Sequence, residues 1–170
     1  MAYSNFVREV AIRSTKRRVT GSTQINSAAD IARLCRDLEA ETQEHFVVLC
    51  LDTQYAVTSR QTVSIGTVSE TMVHPREVFR AAIMQGAYAI ALVHNHPSGS
   101  TAPSEPDLGV TQRMCEAGEL LGIEVYDHVI VGAGEYFSFK EESKRRSEAK
   151  YPPPPKVFEE LIVQLLGGCR

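Results

Sequence analysis

Ala87-Tyr88-Ala89-Ile90-Ala91-Leu92-Val93-His94-Asn95-His96-Pro97 is an apolar run that ends in two histidines one residue apart. Its first seven residues have the character of a buried strand, and the proline stops the run. Six residues further on, Ser104-Glu105-Pro106-Asp107 opens a helical pattern. Strand, polar loop and helix in that order predict an α/β unit, with both histidines just past a strand end, where such folds place their chemistry. Two imidazoles and an aspartate eleven positions on can supply three ligands to one divalent ion. A fourth tetrahedral position is left for water, as in a catalytic site.

Outward from this unit, helical and strand periodicities alternate. Ser27 predicts a helix cap, with Asp30 completing a capping box. The helix runs through Ile31, Leu34, Cys35 and Leu38 to about Ala40. Residues 46–51 are an unbroken apolar run and read as a central strand. After a turn at Asp52-Thr53-Gln54, residues 55–67 predict two further short strands. Pro75 starts a helix with Val78, Phe79, Ala82 and Ile83 on its inner side, ended near Gly86. Val110, Met114, Ala117 and Leu121 mark a third helix, closed by Gly122. Residues 123–132 and 136–139 supply the last strands, around a turn at Gly132-Ala133-Gly134. The expected class is α/β, a central mixed sheet flanked by helices on both faces.

Of the 170 residues, 43 % are hydrophobic, enough for one packed domain with a small additional element. Eighteen Lys and Arg against 21 Asp and Glu leave a net charge of −3, which gives no general support to nucleic-acid binding. The basic triplets Lys16-Arg17-Arg18 and Lys144-Arg145-Arg146 read as solvated surface. Cys35, Cys50, Cys115 and Cys169 form no CxxC pair, so neither a zinc knuckle nor a dithiol redox motif is present. Cys50 and Cys115 lie in apolar patterns that predict buried free thiols. No signal peptide or membrane-length apolar stretch is legible, and a cytoplasmic location is the expectation.

These patterns divide the chain into an N-terminal extension over 1–24, a catalytic domain over 25–140, a charged and proline-rich linker over 141–156, and an amphipathic helix and tail over 157–170. One short strand is expected around residues 6–12. The tail stripe of Val157, Phe158, Leu161, Ile162, Leu165 and Leu166 must be buried against protein. Exchange of that stripe between two chains would make a homodimer.

His94 and His96 project to one side if the backbone between them is extended, and Asn95 then faces away and braces the loop. Ser104 to Asp107, with Pro106 between, is first of all a helix start. Ser104 as N-cap would hold Asp107 in the first turn while its own hydroxyl proton stays free to meet an oxyanion. Hydrolysis also needs a base to take a proton from water. Glu44, Glu70, Glu77 and Glu105 are candidates, and Glu44 is favoured by its place at the entrance of the first core strand. His74 precedes a helix-starting proline and reads as its cap. His128 lies in an apolar strand and reads as a satisfied core histidine.

Glu44, His94-Asn95-His96-Pro97 and Ser104-Glu105-Pro106-Asp107 together resemble the pattern of the JAMM metalloproteins, also called the JAB/MPN family. Their bacterial RadC-like branch is the most similar. Glu44-His45-Phe46-Val47-Val48-Leu49, Val73-His74-Pro75-Arg76-Glu77, Ala117-Gly118-Glu119-Leu120-Leu121-Gly122-Ile123 and Asp127-His128-Val129-Ile130 extend the likeness over roughly residues 25–140. The resemblance implies the JAB/MPN fold, similar to that of cytidine deaminases. It implies one Zn2+ per chain held by His94, His96 and Asp107, with Glu44 as the base and Ser104 at the oxyanion. It further implies a metalloprotease, cleaving a peptide or isopeptide bond in a protein or peptide substrate; a ubiquitin-like tail is the family's suggestion.

The flanks differ from that pattern. Longer RadC-like proteins carry an N-terminal helix-hairpin-helix module for which this chain shows no pattern, and the proline spacer and tail look additional. The family's link to DNA repair suggests an alternative, a non-catalytic accessory protein of DNA-associated complexes with a structural metal site. An intact base and an open fourth position argue for the hydrolase instead. The single carboxylate ligand also argues against a two-metal nuclease.

Overall fold

The computed structural model describes residues 23–66 and 73–147. The expected strand near residues 6–12, the basic triplet at 16–18, Glu70, Cys169, the proline spacer and the tail helix with its dimer all lie outside the described residues.

Five strands form one mixed sheet: β1 (His45–Leu51), β2 (Val57–Ile65), β3 (Ala89–Asn95), β4 (Glu124–Val131) and β5 (Tyr136–Ser138), in the order β2-β1-β3-β4-β5. β1 is antiparallel to both β2 and β3, β3 and β4 are parallel, and β4 and β5 are antiparallel. The parallel pair needs a crossover, which α3 (Glu105–Leu121) supplies. Phe46, Val48 and Cys50 of β1 pack with Val78 and Phe79 of α2 (Pro75–Gln85) and Met114 of α3. Val47, Leu49 and Leu51 point the other way, onto Ile31 of α1 (Ala28–Leu34) and onto Cys35 and Leu38. With both faces covered, β1 and β3 can be apolar at every position, which is why they read as unbroken runs.

Several elements depart from the sequence expectation. The first helix does not reach Ala40 as one piece. The Cys35 amide meets the carbonyls of both Ile31 and Ala32 at 3.1 Å, and the chain tightens into a 3-10 helix over Arg36–Ala40. The Ser27–Asp30 capping box is not formed, because the Ser27 hydroxyl donates to Asp30 at 3.2 Å instead of accepting a backbone N–H. In place of two short strands there is the single β2, whose register against β1 shifts at two points and skips Thr58 and Val63. Ile83 lies on the outer side of α2, and Ala81 takes the expected inner place. Phe139, expected to end the last strand, instead begins a helix, α4 (Phe139–Ser147), which takes in the first residues, 141–147, of the expected linker. Gly86 and Gly122 do close α2 and α3, both in the left-handed conformation.

Candidate metal centre

The sheet register assembles the site. β1 and β3 pair with Phe46 opposite His94, so Glu44, just before β1, and His96, just past β3, come to the same end of the sheet. Alternation along β3 aims His94 at the side occupied by Ile90 and Leu92, toward α3. His94 is not past the strand end, as expected, but inside β3 and wholly buried; His96 is the residue just beyond it. α3 begins beside them with Asp107 in its first turn, also buried. An open cleft of about 350 Å³ is lined by His96 and Asp107 together with Glu44, Pro97, Ser98 and Ser104 among others, and His94 is buried behind it.

His94 Nε2 lies 3.0 Å from His96 Nε2 and 3.1 Å from Asp107 Oδ1, and His96 Nε2 lies 3.5 Å from Asp107 Oδ2. His96 Nδ1 faces the Ser100 carbonyl at 2.9 Å, which can only accept, so in a neutral ring Nε2 is a bare lone pair. Two ring nitrogens at this distance beside a carboxylate need a hydrogen or a metal ion between them. Zinc bonds of about 2.0–2.1 Å in a tetrahedron separate neighbouring ligand atoms by about 3.3 Å. The observed spacing brackets that value, and the three residues together could hold a metal ion.

The electrostatics agree. Burial acts to raise the Asp107 carboxyl, but the two imidazoles of His94 and His96 against it outweigh that effect and hold the group well below the usual carboxylate range. Asp107 in turn raises the His96 imidazole above its ordinary value, against the effect of burial, with Glu44 adding to the rise.

Ser104 and Asp107 make a full capping box. The Asp107 amide donates to Ser104 Oγ at 3.4 Å and the Ser104 amide donates to Asp107 Oδ2 at 2.7 Å. Ser104 Oγ also lies 2.6 Å from Oδ2. The hydroxyl proton, expected to be free for an oxyanion, is thus engaged by Asp107, because Oδ2 is the nearest strong acceptor. Oδ1 is left toward His94.

Comparison with known proteins places this arrangement. Residues 25–144 match the family described as RadC-like JAB domain. The chain belongs to the RadC-like JAB domain family. A UPF0758 protein of Rubrobacter xylanophilus is 50 % identical over 134 residues, which is 78 % of this chain and 59 % of the relative. One of Methanosarcina barkeri is 46 % identical over 105 residues, 62 % of this chain and 46 % of its own length. One of Bacillus cereus is 47 % identical over 118 residues, 69 % and 52 %. The chain spans about half the length of these curated relatives.

Within this RadC-like JAB domain the remaining histidines separate. His74 caps α2, its Nδ1 accepting from the Arg76 amide at 3.2 Å, as its place before Pro75 predicts. His128 is buried as expected of a core histidine, yet its Nε2 touches His94 Nδ1 at 2.9 Å. Burial pushes its imidazole well below the ordinary value. Asn95 braces the neighbouring strand, as expected of a side chain turned away from the ligands. Thr111, which carried no signal in the sequence, bonds His128 from α3 at 2.6 Å. Arg145 of the second basic triplet is held by Glu142 at 2.7 and 2.8 Å. Cys35, Cys50 and Cys115 are buried free thiols. Among the described residues no helix is long and apolar enough to cross a membrane.

Proposed function

We propose that the centre is a mononuclear zinc site and the protein a hydrolase of amide bonds, a peptidase or isopeptidase acting on a protein or peptide. The observation that carries this reading is the convergence of His94 Nε2, His96 Nε2 and Asp107 Oδ1 beneath a cleft that Glu44 also lines. Two imidazoles and one carboxylate suit zinc better than the oxygen-seeking magnesium or calcium. Three protein ligands with an open side are the pattern of a catalytic site, whereas structural zinc is usually closed by four.

A zinc ion there would acidify a water molecule and polarise the carbonyl of the scissile bond. Glu44, which lines the cleft, would take the proton from the attacking water and return it to the departing nitrogen. Asp107 supplies the negative charge that holds the cation, and Ser104 keeps its carboxylate turned. A role for Ser104 at the oxyanion requires its hydroxyl to turn away from Asp107 as the carbonyl charge develops.

The test is a peptide and isopeptide substrate-profiling screen of zinc-loaded protein beside its Glu44→Gln variant, with zinc content measured in both. Cleavage by the wild type alone, at equal zinc content, supports the reading. Equal cleavage by the two removes Glu44 from the mechanism. Absence of cleavage by either, with zinc bound, removes the peptidase.

A further inference from the structure

Behind the ligands, three buried side chains form one unbranched line of hydrogen bonds. Thr111 Oγ1 lies 2.6 Å from His128 Nδ1, and His128 Nε2 lies 2.9 Å from His94 Nδ1. Aromatic rings fix the orientation of both imidazoles. Phe139 stacks on His128 at 5.1 Å, Phe46 stacks on His94 at 6.0 Å, and Phe46 also meets His128 edge-on at 5.5 Å.

The protons on this line can be counted. Thr111 Oγ1 lies 2.6 Å from the Asp107 carbonyl oxygen, one turn earlier on α3, and a carbonyl only accepts. The single hydroxyl proton therefore points to Asp107, and Thr111 is the acceptor toward His128. His128 Nδ1 then carries a proton. In a neutral ring Nε2 is then bare. That bare nitrogen accepts from His94 Nδ1, which leaves His94 Nε2 as a lone pair facing His96 and Asp107. The opposite order fails at Thr111, which would present a lone pair to the Asp107 carbonyl at 2.6 Å.

We infer that Thr111 and His128 are positioning residues that hold His94 in the one tautomer able to bind a metal. The functional consequence rests on the zinc reading above, but the tautomer is a property of the chain itself. Metal-ligating histidines commonly have such a partner on the second nitrogen, and removing it weakens metal binding by about ten- to hundredfold.

The experiment uses the full chain with 15N-labelled histidines, metal-free, and two-bond 1H–15N correlation spectra that show which ring nitrogens carry protons. The expected spectrum has His128 protonated at Nδ1 and bare at Nε2, with His94 protonated at Nδ1. Thr111→Val keeps the shape without the hydroxyl. It should shift His128 toward the Nε2–H form and lower zinc affinity about ten- to hundredfold in a chelator competition. Thr111→Ser should restore both. A wild-type His128 with its proton on Nε2 overturns the inference, and so does Thr111→Val binding zinc as tightly as wild type. If the wild type takes up no zinc at all, the zinc reading fails, while the histidine spectra still decide the tautomer.

Discussion

Asn95 clamps the main chain on both sides of Glu44. Its Oδ1 accepts from the His45 amide at 2.8 Å and its Nδ2 donates to the Gln43 carbonyl at 3.0 Å. The residue between the two candidate ligand histidines thereby holds the segment that carries the candidate base. The histidines lie at the end of β3 and Glu44 just before β1, and this side chain ties their positions together.

Asn95→Ala should therefore lower turnover by about tenfold or more at unchanged zinc stoichiometry, since positioning errors of this kind act on the reaction and not on the ligands. Two half-buried backbone groups lose their partner, at a cost of about 1–2 kcal/mol in urea unfolding. Asn95→Asp keeps the acceptor for His45 but sets a second acceptor against the Gln43 carbonyl. Turnover close to that of wild type in both variants would break the link between this clamp and Glu44.

Ser104→Ala separates two roles for one hydroxyl. If Ser104 acts by holding Asp107, the variant loses zinc affinity as well as turnover, and α3 loses its N-cap at about 1 kcal/mol. If the hydroxyl serves the oxyanion alone, turnover falls while affinity stays. A zinc competition titration beside steady-state kinetics tells these apart, and the 2.6 Å contact to Asp107 favours the first.

Gly132 on the β4–β5 turn lies against the loop that follows the histidines. A Cβ there would run into the Gly99 carbonyl oxygen and lie 2.8 Å from Thr101 Cγ2. Neither neighbour can give way freely, because the same carbonyl accepts from the Ala133 amide at 3.3 Å. Gly132→Ala should cost about 1–3 kcal/mol, as overpacking does. It should also loosen the His96–Ser100 contact, seen as weaker zinc binding. An unfolding midpoint and zinc affinity both equal to wild type would show that the loop simply yields.

How much of this was readable beforehand depends on what each residue answers to. β1 and β3 were legible because both their faces are covered, and the ligands because His94, His96 and Asp107 lie close together in the chain. β2 reads as two strands because the polar run Thr58-Ser59-Arg60-Gln61-Thr62 separates its apolar ends. The stop at Cys35 was invisible because Ile31, Leu34, Cys35 and Leu38 suit an α-helix and a tighter 3-10 turn equally. Thr111 could not be found at all. A threonine in a helix is unremarkable in sequence, and its role comes from a strand seventeen residues later.

Asp127 gives a pH dependence that is separate from the ligands. Its carboxylate accepts from the His128 amide at 2.7 Å, the Lys140 amide at 3.1 Å and the Ser138 hydroxyl at 2.7 Å, joining β4 to the start of α4. Burial nonetheless pushes the carboxyl up to about 6, above the value of about 3.9 in an unfolded chain. The folded state therefore holds this proton more tightly. The stabilising contribution is complete below about pH 4 and is lost as pH rises to about 6, roughly 2–3 kcal/mol in all. Other carboxyls change the total in the opposite sense, Asp107 among them, since its folded value is depressed. The quantity to measure is thus the difference between wild type and Asp127→Asn in metal-free urea unfolding at several pH values. Relative to the variant, wild type should lose stability between pH 4 and 6 and then level off; a flat difference would mean that Asp127 is already ionised in the folded protein at pH 4.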